Sequence, residues 1–139
     1  MASRDIAGLA SADRIALGDW IGERPGTVLP IHALASGLGR LAVAGEPASP
    51  DAVLVESPLV PGEPQGYGDP EALLDLLSAT EGWTCVELEP ELARALSDGF
   101  QRRWGQPRTL GSMFTPGIAD GASRQVRHRW HVVRCNPLA

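Results

Sequence analysis

The run Ala52-Val53-Leu54-Val55, closed by Asp51 before it and by Glu56-Ser57 after it, constrains this chain more than any other stretch. Four apolar residues in succession leave no polar face for water, so a strand here is buried on both sides and belongs at the centre of a sheet. A Pro/Gly-rich connection follows over residues 58–68, and Asp69-Pro70-Glu71 opens a helix with Asp as cap, Pro in first position and an acid in the first turn. A strand, a glycine-containing turn and a helix start make a physical recipe for holding phosphate, because backbone N–H groups and the helix dipole converge on the turn.

The flanking elements are read from capping residues and periodicity. Ser11 caps a helix carrying Ile15, Leu17, Trp20 and Ile21, which Gly22 and Pro25-Gly26 stop. Residues 27–35 have the apolar content of a strand, with Pro30 suiting an edge or a bulge, and residues 40–44 form the next strand. After Asp69 the helix buries Leu73, Leu74, Leu76 and Leu77; residues 83–88 are a strand. Glu89-Pro90-Glu91 starts another helix, with Leu92, Leu96 and Phe100 on one face and Gly105 at its end. Residues 107–114 and 125–134 are the last two strands, the second alternating Val126, His128, Trp130 and Val132 with Arg127, Arg129, His131 and Val133. Residues 1–10 are weakly patterned, as a partly mobile terminus is.

At 139 residues the chain makes one domain, and with 43% hydrophobic and 21% charged residues it has the composition of a soluble globular protein. No apolar run approaches the roughly 20 residues of a membrane span, and no secretory leader opens the chain, so the expected location is a bacterial-type cytoplasm without membrane contact. Cys85 and Cys135 are too few for a disulfide framework, and neither they nor His32, His128 and His131 have metal-ligand spacing. All 12 basic residues are arginine. Residues 1–100 hold 16 acids and 5 arginines, whereas the remainder holds 7 arginines and one acid, Asp120. Overall acidity argues against a nucleic-acid partner; the split fits either an anionic partner for the C-terminal part or two segments that attract each other in the folded domain, the second being the expectation.

The order of helix, three strands, helix, strand, helix and two strands resembles the GNAT N-acetyltransferase superfamily. The stretch Gly68-Asp-Pro-Glu-Ala-Leu73, with Gly82-Trp-Thr-Cys-Val86 and the helix from Glu91, is similar to the degenerate N-terminal GNAT-like halves of two-part acetyltransferase-family proteins. The resemblance implies an α+β fold of three α/β layers, a GNAT-like mixed, mainly antiparallel central sheet of about six strands with helices on both faces. It also implies an acetyl-coenzyme A site at a strand, turn and helix. Active members carry Arg or Gln, two free positions, Gly, one free position, then Gly or Ala. Gly66, Tyr67 and Gly68 align with the end of that pattern, while Glu63 stands where the Arg or Gln belongs.

The departures shape the functional expectation. Glu63, Asp69 and Glu71 set carboxylates about the turn, and two like charges about 5 Å apart cost roughly 0.8 kcal/mol even in water. The family places a thiolate-protonating Tyr four residues before a Gly; if Gly105 is that Gly, Gln101 occupies the position and cannot act as an acid. Glu56 and Glu87, near strand ends, are the candidate general bases. Two functions stay open. One is a degenerate GNAT-like domain with no cofactor, acting as a structural, dimerising or small-ligand-binding module, alone as a homodimer or beside a GNAT-like partner domain. The other is a divergent N-acetyltransferase using acetyl-coenzyme A.

Overall fold

The structure, a computed structural model, describes residues 3–80, 82–83, 85–104, 110–113 and 129–133. The elements are β1 (Arg4–Asp5), α1 (Ser11–Ile21), α2 (Val28–Ser36), β2 (Arg40–Glu46), β3 (Ser49–Glu56), β4 (Gln65–Gly68), α3 (Pro70–Ala79), β5 (Cys85–Leu88), α4 (Pro90–Trp104), β6 (Leu110–Met113) and β7 (Arg129–Val133). The strands line up as β1-β2-β3-β4-β5-β7-β6. Every pair is antiparallel except β4 with β5. The result is an α+β fold with a mixed, mostly antiparallel open sheet and helices on both faces.

Strand alternation divides the apolar side chains between two cores. On one face Leu41, Val43, Val53, Val55 and Tyr67 pack with Leu17 and Ile21 of α1 and Ala33 and Leu34 of α2. On the other, Ala42, Ala52, Leu54, Val86 and Leu88 pack with the leucines of α3 and with Ala93 and Leu96 of α4. The continuous run in β3 is therefore central, with Ala52 to Val55 all at most 2% exposed. Each fully buried Leu contributes about 1.5–3 kcal/mol, so Leu73, Leu74, Leu76 and Leu77 anchor α3 firmly.

The helix start at Asp69 is as expected: its Oδ2 accepts the Ala72 N–H at 3.0 Å, and Pro70 is the first helical residue. Trp83 is buried, and its indole N–H donates to Leu77 O and Thr80 O, each at 3.1 Å. It therefore satisfies carbonyls at the end of α3 that the helix itself leaves unpaired.

Three expectations are corrected. Residues 27–35 do not form a strand; Val28–Ser36 is helix α2. Pro30 is its third residue, where a backbone N–H has no intrahelical acceptor, so its missing donor costs nothing. Residues 58–68 are not all connection, because Gln65–Gly68 is β4, between β3 and β5. Ser11 is the first residue of α1 rather than its cap; Ala10 holds the cap position without a side-chain bond. Near the start of the described chain Ile6 is fully buried, its N–H donates to Gly39 O at 3.0 Å, and Arg4–Asp5 pairs with β2. The expected helix end at Gly105 and the loop over residues 115–123 lie outside the described residues. No helix among the described residues is long and apolar enough to cross a membrane.

Candidate functional site

Parallel strands β4 and β5 both deliver the chain into helices, α3 at Pro70 and α4 at Pro90, so two helix N-termini lie at one end of the sheet. That end, beyond the carboxyl ends of parallel strands, is where open α/β sheets bind ligands. The pairing covers only Gln65 with Glu87 and Gly66 with Leu88, and Tyr67 and Gly68 run past the end of β5. A hollow of about 300 Å³ results, between Trp20, Ile21 and Arg24 at the end of α1, Tyr67 and Gly68, and Glu89, Glu91 and Leu92. Arg24 donates to Ile21 O at 2.7 Å and pairs with Glu89, joining the two walls.

A coenzyme A pyrophosphate would need free N–H groups at the strand-to-helix turn, and here the turn is one residue long. The Asp69 N–H donates to Asp51 O at 2.8 Å and the Leu73 N–H to Asp69 O at 2.9 Å. The Ala72 N–H goes to the Asp69 carboxylate, and Pro70 has none. That leaves the Glu71 N–H, on a residue carrying its own carboxylate. Gly68 has φ +111°, and a side chain there would overlap Asp51 O and lie 2.7 Å from Ala52 Cα and 3.0 Å from the Trp20 ring. At Gly66 a β-carbon would come within 3.0 Å of both Leu73 and Leu88. Both glycines thus admit neighbouring protein atoms, and the residues present do not fit the pyrophosphate.

The structure separates the carboxylates that the sequence groups. Glu63 precedes β4 at the end away from α3, close enough to Cys85 to act on its thiol. Glu71 accepts from Arg102 and Arg103, each at 3.2 Å, and Asp75 from Arg103 at 2.7 Å. Two arginines of the basic C-terminal segment therefore meet acids of the N-terminal one across α3 and α4.

Glu56 and Glu87 do not converge. Glu56 ends β3, opposite Arg40, and because β3 is antiparallel to β4 it lies at the far end of the sheet from the hollow. By strand alternation it shares the α3/α4 face with Ala52 and Leu54, whereas Glu87, between Val86 and Leu88, is on the α1/α2 face. Glu87 Oε1 accepts the Gln65 amide at 2.9 Å, and Gln65 Oε1 accepts the Tyr67 hydroxyl at 3.3 Å. This polar line, buried at Gln65 and Tyr67 and half-buried at Glu87, starts at the wall of the hollow. Gln65 escaped the sequence reading because its segment has no hydrophobic period; the alternation Gln65-Gly66-Tyr67 was the one available signal.

Gln101 is exposed on α4. The Cys85 thiol is pushed up to about 11 by burial, then by the charges of Glu63 and Glu87, which makes it a poor nucleophile at neutral pH. Among the described residues no group of His, Cys, Asp and Glu is arranged to hold a metal ion. The hollow can select a small molecule by charge and shape, but no nucleophile paired with a base faces it among the described residues. Comparison of the chain with models of protein families, with curated proteins and with solved structures finds no match.

Proposed function

We propose that this chain is a GNAT-like domain without a competent acetyl-coenzyme A site, serving as a binding or dimerising module rather than an acetyltransferase. The sheet order, the single parallel pair among the described strands and the helix pairs on opposite faces support the GNAT-like part. The observation that carries the functional part is the closed turn at Asp69. Its N–H, its carboxylate and its carbonyl are all engaged within the protein, and Asp51 and Trp20 occupy the space beside Gly68. Opening it would break the Asp69 N–H to Asp51 O bond and unpair β3 from β4.

Calorimetric titration of the full chain with acetyl-coenzyme A is the test. The expected result is no saturable heat up to millimolar ligand. Micromolar, saturable binding would refute the reading and favour acetyl transfer, with Glu87, linked to Tyr67 through Gln65, then the candidate base.

A further inference from the structure

Helix α2 carries more apolar surface than one core requires. Pro30, Ala33 and Leu34 face inward and are buried. Val28 and Ala35 are exposed on its other side, Val28 at 60%, while Ile31 between them is half-buried against the same core. Beside them on α1 stands Ile15, 64% exposed. Two hollows of about 510 and 470 Å³ flank these residues and share Glu23, Ile31 and Ala35. Projecting apolar side chains and cavities large enough to receive them thus occur on one face, as a surface that packs against its own copy requires.

The charges along the same groove select the occupant. Arg14 borders it near the start of α1; its Nε is buried without a hydrogen-bond partner, and its remaining bonds, to Leu34 O and Ser11 Oγ, are long at 3.4 and 3.3 Å. Asp19 and Glu23 border it toward the other end, both exposed and with no side-chain hydrogen bond or ion pair among the described residues. Arg14 and Glu23 are nine positions apart, about 13 Å along a helix. A partner of one charge sign would satisfy one end only. A second copy turned end to end satisfies both, setting Arg14 against the partner's Glu23 twice about a twofold axis.

We infer that the α1/α2 face is an isologous homodimer interface, with its apolar side chains supplying affinity and the Arg14 to Glu23 contacts setting register. The inference deepens the dimerising part of the proposed function and does not depend on the closed turn at Asp69, since it uses the outer surface of α1 and α2. A two-helix face falls at the small end of specific interfaces, on the order of 1,000 Å² in total, the size class of weak and transient associations.

Sedimentation velocity of the full chain across micromolar to millimolar concentrations tests it. The native chain is expected to pass from monomer to dimer, and Ile15→Asp and Val28→Asp each to weaken the dimer about tenfold or more. Both residues are exposed, so circular dichroism should stay native, and each variant backs the other if one misfolds. Arg14→Glu and Glu23→Arg should each weaken self-association, while their equimolar mixture should dimerise again because opposite charges then meet at both ends. A chain that stays monomeric throughout, a dimer indifferent to both aspartate variants, or a mixture no better than either charge variant alone would each overturn the proposal.

Discussion

Replacing Gly68 with Ala distinguishes a glycine kept for packing from one kept for a ligand. The residue sits at φ +111°, where an L side chain is strained by about 1–3 kcal/mol. The added β-carbon would also overlap Asp51 O and press on Ala52 Cα at 2.7 Å and the Trp20 ring at 3.0 Å. Two of those three contacts are backbone of β3, which cannot turn aside as a side-chain tip can, and overpacking of this kind costs about 1–3 kcal/mol. Easing the overlap would stretch the Asp69 N–H to Asp51 O bond, now 2.8 Å. The expected loss is about 3 kcal/mol, which lowers a urea midpoint by about 2 M for a domain of this size. Gly8→Ala is the control, because a side chain there meets nothing within 4 Å. If the two variants unfold within about 0.5 kcal/mol of each other, Gly68 is not held by its neighbours and the closed-turn argument fails.

Two further outcomes follow from single side chains. Trp83→Phe removes the N–H that satisfies Leu77 O and Thr80 O and shrinks a buried ring, so stability should fall by about 2 kcal/mol in chemical denaturation; an unchanged midpoint would mean α3 is capped otherwise. In a Cys135→Ala background, Cys85 should react with iodoacetamide far more slowly in the native protein at pH 8 than in urea, and equal rates would contradict its burial. At about 11 the folded-state thiol lies above its ordinary value of 9.0, so the folded form holds its proton longer. Stability is therefore flat below about pH 9 and falls from there toward 11, a slope that Cys85→Ser should flatten.

Elements whose evidence is local were readable from the residues. Asp69-Pro70-Glu71 and the four leucines after it specify a capped amphipathic helix whatever surrounds them, and Trp83 to Leu88 contains β5. Residues 27–35 misled because β-branched and apolar residues with a proline suit an edge strand as well as a short buried helix. What decided for α2 was Thr27, whose hydroxyl donates to Gly22 O at 2.7 Å and accepts the Arg24 N–H at 2.9 Å, together with Gly37 in the left-handed conformation at the helix end. The candidate site was legible in composition but not in geometry: Glu56, Glu87, Gly66, Tyr67 and Gly68 are spread over three strands and both faces of the sheet.

What the sequence determined by itself was the central place of β3, because a run of four apolar residues has to be covered on both sides. What only the tertiary structure decided was β4 and, with it, the fate of the phosphate-type turn. Gln65-Gly-Tyr-Gly has little strand propensity of its own; it is a strand because β3 and β5 offer hydrogen-bonding partners on either side and because Leu73 and Leu88 fill the space where Gly66 has no side chain. Once those four residues enter the sheet, a single residue remains to turn into α3, and its backbone groups are engaged before any ligand arrives.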